Sequence, residues 1–335
     1  MSSENLIIVP LLRPINIDKL PTFGKKIERE FLVSFFNDCN LNCSFCNGCL
    51  VVPEEYDHKV LKQMVEDTKF ALRTVEEDYV KVKFTGGEIL QDKFPDEQID
   101  HYATICKELR EYADSIGKKI GITITSNFIF KKRDRIIKFL KDNDIKITAS
   151  FDLVGRYDNP KLVDLMLDNV KALSASGLKV GINFVAHKGN IDAIMNRGQY
   201  IEVFDYLYEN HKMMIDLFTA VGKEELDVTE EELADFFIYL YHHYPKIEHI
   251  QDLVIAYKDK TVDSHECSRS VWVSGNGITG DCNGNFTEGF KSQLLERGCV
   301  SCKHLQYCKG VCSRIFTGKF CFQRKFFDYL EEIGL

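Results

Sequence analysis

Two periods of apolar residues alternate along most of the chain, and their alternation predicts an architecture. Residues 31–37 (FLVSFFN) form an apolar, aromatic run of the kind expected of a buried strand. Residues 59–77 carry apolar side chains at Val60, Leu61, Met64, Phe70, Ala71, Leu72 and Val75, which suits an amphipathic helix. VKVKF at 80–84 alternates as a strand and runs into Thr85-Gly86-Gly87-Glu88. The succession then repeats, with helices over 96–116, 131–143, 160–176 and 198–211, and strands over 119–126, 146–152, 179–187 and 213–220. Strands alternating with helices predict an α/β protein with a parallel sheet. Six such units, fewer than the eight of a closed barrel, predict a partial (β/α)6 TIM-type barrel. In such folds the chemistry sits at the carboxyl ends of the strands.

Beyond about residue 222 the pattern loosens into an acidic helix at 229–243, a connecting stretch and a cysteine- and glycine-rich region. This divides the chain into an N-terminal extension (1–30), the partial barrel (31–222), a helical connection (223–263) and a C-terminal domain (264–335). The net charge of −8 gives no global field that would attract nucleic acid or an anionic membrane. The start of the chain lacks a basic region and a small-residue cleavage site, and no stretch is long and apolar enough to span a bilayer, so a cytoplasmic protein is expected. Against that background twelve cysteines stand out. Thiols stay reduced in such a compartment, and clustered ones point to metal or catalysis rather than disulfides.

The first cluster, Cys39-Asn-Leu-Asn-Cys43-Ser-Phe-Cys46, has the spacing C-x3-C-x2-C. Three thiolates on one tight loop can ligate three irons of a cubane and leave the fourth open to a non-protein ligand. A zinc loop is the plainer alternative, although zinc sites more often pair C-x2-C with a distant second pair. Gly86-Gly87-Glu88 follows the second strand about forty residues later. Alone that is a common turn; after a strand and downstream of this cysteine loop it becomes a strong pair.

Together these residues resemble the signature of the radical S-adenosylmethionine superfamily, in which the open iron chelates the methionine part of the cofactor. The resemblance implies that Gly86 and Gly87 let backbone approach that methionine and that Glu88 accepts from its ammonium group. It also implies that Phe45 packs on the adenine. Thr125, Ser126 and Asn127, then Ser150 and Asp152, then Asn183 stand at or near strand ends where the family places cofactor contacts. Satisfied strand-end polar residues account for these six equally well.

The C-terminal cysteines are Cys267, Cys282, Cys299, Cys302, Cys308, Cys312 and Cys321. Their spacing, with Gly277 embedded, resembles the SPASM extension of the same superfamily, and the two resemblances span roughly residues 31–325. The resemblance implies that Cys299, Cys302, Cys308 and Cys321 hold one auxiliary cluster. It gives Cys267, Cys282 and Cys312 three irons of another, with His265 or Asp281 as conceivable fourth ligands. The cofactors expected are thus S-adenosylmethionine and three 4Fe-4S clusters. The alternative is a zinc knuckle of Cys299, Cys302, Cys308 and Cys312 in a non-catalytic interaction protein, which would orphan the other three cysteines. Cys106 reads as core, and Cys49 as core or a thiol near the site.

The implied activity is generation of a 5′-deoxyadenosyl radical that abstracts hydrogen from a substrate. The auxiliary pair would accept the electron left when that substrate is oxidised, giving a crosslink, a thioether or a dehydrogenation. A peptide substrate is the leading expectation; dehydrogenation of a small polyol or aminosugar is the alternative, favoured by the absence of a leader-binding domain before Cys39. Expected partners are an electron donor such as flavodoxin or ferredoxin and a separate leader-binding protein. In sulfatase maturases an aspartate serving as base follows the second cysteine of the extension. Here that position is Asn283, which cannot take up a proton at neutral pH and argues against that reaction. The catalytic base is not identified.

Overall fold

The computed structural model describes residues 29–46, 53, 55–217, 224–260, 270–279, 299–308 and 321–335. Its centre is one sheet. The strands are β1 (Arg29–Ser34), β2 (Tyr79–Thr85), β3 (Lys119–Ser126), β4 (Ile145–Ser150), β5 (Val180–Val185) and β6 (Lys212–Asp216), then β7 (Ser270–Ser274) and β8 (Gly277–Thr279) from the C-terminal region. They lie in the order β6-β5-β4-β3-β2-β1-β7-β8. The first six pair in parallel, β7 adds in parallel to β1, and β8 turns back antiparallel on β7. No pairing joins β6 to β1 among the described residues, so the strands form an open array, as the unit count predicts. All six carboxyl ends lie along one edge.

Helices α1 (His58–Thr74), α2 (Asp96–Ser115), α3 (Arg133–Asp142), α4 (Pro160–Ala175), α5 (Lys188–Met195) and α6 (Ile201–Asn210) fill the crossovers. Local chemistry sets their starts. The Asp57 carboxylate accepts from the Lys59 and Val60 amides to cap α1, and Asn159 caps α4 ahead of a proline in its first turn. Strands β4 and β5 are buried on both faces, as a covered parallel sheet requires: in β4 only Lys146 is exposed. The core is rich in phenylalanine, with Phe35 lying 4.7 Å from Phe84 and 5.5 Å from Tyr102, ring to ring.

Among the described residues three further α-helices follow: α7 (Glu230–His243), α8 (Glu248–Asp259) and α9 (Phe322–Glu332). α7 and α9 pack through aromatic rings, Phe237 lying 5.0 Å from Phe322 and 6.2 Å from Phe326. Strand β1 ends at Ser34, short of the expected 37. Beyond it Phe35 and Phe36 stay buried while the backbone turns toward the first cysteines, so the apolar run overstates the strand.

Candidate metal and cofactor site

The loop from Phe35 to Cys46 leaves the carboxyl end of β1 and is held by the loops after β2, β3 and β4. Cys43 is buried, while Cys39 and Cys46 are exposed. The Cys39 sulfur accepts from the Leu41 amide at 3.4 Å and from Asn127 Nδ2 at 3.8 Å. Neighbouring atoms desolvate the Cys39 thiol and push it up to about 11; the Leu41 amide opposes this, and Glu88, Cys43 and Cys46 add to it. Burial also raises the Cys43 thiol, and the Arg156 guanidinium opposes that rise more strongly than Asp152 adds to it. In the absence of metal these two thiols hold their protons at neutral pH; binding a metal releases them.

The loop after β2 docks on the backbone that leads to Cys39. Gly87 donates to the Phe36 carbonyl at 2.5 Å and Glu88 to the Asp38 carbonyl at 2.9 Å. A Cβ on Gly86, whose φ is +132°, would stand 2.4 Å from the Phe36 oxygen, and one on Gly87 would stand 1.9 Å from the Asp38 oxygen. The glycines are therefore required by chain meeting chain. Glu88 is buried, with Oε1 accepting from the Leu90 amide at 2.9 Å and Oε2 from the Asn127 amide at 2.6 Å. Desolvation raises its carboxyl pKa against those N–H groups, Ser126 and Arg156. The Asn127 side chain carries the link onward, donating to Asn40 Oδ1 at 2.7 Å, and Asn40 in turn donates to the Ile129 carbonyl at 2.8 Å. Ser126 Oγ accepts from the Phe128 amide at 3.0 Å, where the chain turns through a left-handed φ.

The loop after β4 supplies residues that the sequence patterns did not single out. Gly155 accepts from the Ser44 amide at 2.8 Å, and a Cβ there would stand 2.3 Å from Ser44 Oγ. Arg156 Nη1 reaches the Cys43 sulfur at 3.7 Å, and its guanidinium lies 5.2 Å from the centre of the Phe45 ring. Its Nε donates to Asp152 Oδ2 at 2.6 Å. Asp152 is fully buried, and its Oδ1 accepts from the Val185 amide at 2.8 Å and from Asn190 Nδ2 at 2.5 Å. Both oxygens thus serve the protein's own framework. His187, the cap of α5, lies 4.8 Å from Phe45, ring to ring, and its pKa is lowered chiefly by burial. Nothing in the spacing pointed to Gly155, Arg156, His187 or Asn190, because they join the site through loops that follow separate strands.

Ser150 is buried at the end of β4, and its carbonyl accepts from Tyr157 at 3.1 Å. Asn183 Nδ2 donates to Asp216 at the end of β6. Among the described residues eleven buried polar side-chain atoms have no hydrogen-bond partner, and four of them, Ser34 Oγ, Thr125 Oγ1, Asn183 Oδ1 and His187 Nε2, belong to residues at or near the carboxyl ends of the strands. Buried polar atoms are seldom orphaned. Three thiols on this edge, two of which receive N–H donors, fit a loop built to receive an iron–sulfur cluster, and the four orphaned atoms leave hydrogen-bonding capacity at the strand ends for a polar organic cofactor.

In the C-terminal region Cys299, Cys302, Cys308 and Cys321 are partly buried. Cys299 begins one short 3-10 turn, Cys302 follows it, and Cys308 caps a second such turn and donates to Gln323 on α9 at 3.0 Å. Cys49, Cys267, Cys282 and Cys312, with His265, Asp281 and Asn283, lie outside the described residues. Zinc bound tetrahedrally by thiolates needs sulfurs about 4 Å apart. Among the described residues only His304, Asp328 and Glu331 bring three candidate ligand atoms within 4.8 Å of one another. Lys303 already ion-pairs with both carboxylates of that group.

No protein-family model matches the chain, and no curated protein does. Solved structures do. Native anSMEcpe with bound AdoMet is 15% identical, with a TM-score of 0.65 over 91% of this chain and 97% of that one. The same protein with AdoMet and a Cp18Cys peptide is 16% identical, with a TM-score of 0.65 over the same 91% and 97%. Its complex with AdoMet and a Kp18Cys peptide is 15% identical, with a TM-score of 0.64 and that same 91% and 97% coverage. At such identity the likeness is one of fold, and the expected α/β architecture is the architecture found.

Proposed function

We propose that this chain is a radical S-adenosylmethionine enzyme that oxidatively modifies a peptide. One observation carries the reading: the C-x3-C-x2-C loop is clamped at the carboxyl edge of a parallel sheet by the loops that follow the next three strands. Cys39, Cys43 and Cys46 would hold a 4Fe-4S cluster. Gly86, Gly87, Glu88, Ser126, Asn127, Ser150 and Asn183 would hold S-adenosylmethionine, with Phe45 beside its adenine; Asp152 acts through the residues it anchors. A cluster held by these thiolates would supply the single electron for reductive cleavage of the cofactor, and the cleaved cofactor would provide hydrogen-abstraction chemistry at an unactivated carbon. The protein's own residues fix the loop, exclude water from Cys43 and donate hydrogen bonds to Cys39. Cys299, Cys302, Cys308 and Cys321 would hold one auxiliary cluster and Cys267, Cys282 and Cys312 another. A peptide substrate, delivered by a separate leader-binding protein, and a flavodoxin or ferredoxin donor complete the proposal. Support for the peptide is that anSMEcpe, whose fold this chain shares, is solved with peptides bound.

The test is anaerobic reconstitution with iron and sulfide, then incubation with dithionite and S-adenosylmethionine. Formation of 5′-deoxyadenosine is expected, as is its loss in the C39A/C43A/C46A variant while the C-terminal iron remains. A variant that still forms it removes the site assignment. Faster cofactor consumption with short peptides encoded near this chain's gene supports the peptide reading; acceleration by sugars alone rejects it.

A further inference from the structure

We infer that Arg156 sets the charge felt by the Cys39–Cys46 cluster: it is a positioning residue that raises the reduction potential through Cys43. This rests on the reading above that the loop holds a 4Fe-4S cluster. The Cys39 and Cys43 thiols receive unlike surroundings. Cys39 takes neutral donors, the Leu41 amide and the Asn127 side-chain amide. Cys43, the buried one, has a guanidinium nitrogen 3.7 Å from its sulfur.

The fork is held from behind. Nε is fixed on Asp152 Oδ2 at 2.6 Å, and Asp152 is itself fixed by the Val185 amide and Asn190. One flank of the guanidinium lies against the Phe45 ring, 5.2 Å from its centre. With Nε occupied and the plane lodged on the ring, Nη1 is left toward Cys43. Gly155, which has no side chain to strike Ser44, lets the loop approach this closely. A half-buried cation in this position gives more to the reduced, more negative state of a cluster than to the oxidised one. Hydrogen bonds to sulfur and net local charge are known determinants of cluster potential. Arginine suits the task better than lysine, because one end of its fork can be anchored while the other meets the sulfur.

The experiment is an anaerobic redox titration of the reconstituted full chain, followed by electron paramagnetic resonance. The signal to follow is the one that changes on adding S-adenosylmethionine and is missing from C39A/C43A/C46A. If that triple variant keeps every signal, the functional reading fails before Arg156 is tested. Otherwise R156Q is expected to load normally and to be harder to reduce. We expect a tenfold shift in the one-electron equilibrium, about 59 mV more negative. A shift below threefold, or in the opposite direction, overturns the inference and leaves the functional reading standing. If R156Q does not load, R156K carries the test. It keeps the charge, so its midpoint should lie within threefold of wild type, and a larger fall overturns the inference. Failure of both variants to load also overturns it, because Arg156 would then be required for assembly alone.

Discussion

At the scale of single residues, the site depends on close approach as much as on its thiols. Gly87 is the sharpest case. An added methyl would meet the Asp38 carbonyl oxygen at 1.9 Å and its carbon at 2.5 Å, and both are backbone. No side-chain rotation relieves such a clash, so the segment one residue before Cys39 has to move. Gly87→Ala should therefore destabilise the metal-free protein by about 1–3 kcal/mol, the usual range for overpacking, as measured by urea denaturation. It should also lower iron uptake at the first cluster. Unchanged stability would show that the 36–38 backbone is free to give way. The resemblance singled out Gly86-Gly87-Glu88 and implied a cofactor contact for the glycines. The structure adds a second requirement, the close approach of the protein's own 36–38 backbone, which is distant in sequence and which no spacing rule could name. Arg156 escaped notice for the same reason: its importance comes from Cys43, which is 113 positions away.

At the scale of elements, helix α7 shows local chemistry written plainly. Thr229 Oγ1 accepts from the Glu232 amide at 3.1 Å and Glu232 Oε2 accepts from the Thr229 amide at 2.9 Å, a reciprocal capping box. The helix was legible at 229–243 from its acidic start. Thr229→Ala should cost about 1 kcal/mol, measured by thermal or urea unfolding. The Lys188 ammonium, 2.6 Å away, and the Thr229 amide hold the Glu232 carboxyl below its ordinary range. A depressed carboxylate contributes stability above its unfolded value of about 4.3, and that contribution disappears as pH falls through the folded value. The stability gap between wild type and Glu232→Gln should accordingly be present at neutral pH and close on acidification below about pH 4; a gap that widens there would contradict the assignment. Other elements were harder to see. α5 begins Lys-Gly-Asn, which reads as a turn, and it is capped by the ring of His187. α8 and α9 have good apolar periodicity, but they were absorbed into a connecting stretch and a cysteine-rich region, where the cysteine spacing dominated the reading. β7 is five residues long and gains its strand identity from pairing with β1, over two hundred positions earlier.

At the scale of the whole molecule, four loops from four neighbouring strands are tied to one another by the protein's own hydrogen bonds. The cysteine loop after β1 bonds to the Gly86–Glu88 loop, Glu88 and Asn40 bond to the Asn127 loop, and Gly155 and Arg156 bond back to Ser44 and Cys43. That these loops share one edge was readable from the helix–strand alternation, because parallel crossovers leave all carboxyl ends on the same side. Which side chains join across the edge was not readable, since each bond spans separate strand–helix units. This arrangement makes a thermodynamic prediction. Ligands that bind only the folded edge stabilise it by mass action, about 2.7 kcal/mol at a hundred times the dissociation constant. Adding S-adenosylmethionine to the anaerobically reconstituted chain should therefore raise its melting temperature in a concentration-dependent way. The same additions to the metal-free chain should do much less, because the open iron is the proposed anchor of the cofactor's methionine. The C39A/C43A/C46A variant, reconstituted in parallel, should retain whatever stabilisation the C-terminal cysteines confer and lose the response to S-adenosylmethionine. An equal response in that variant would mean that the cofactor binds elsewhere, and the linked loops at the strand ends would then need another explanation.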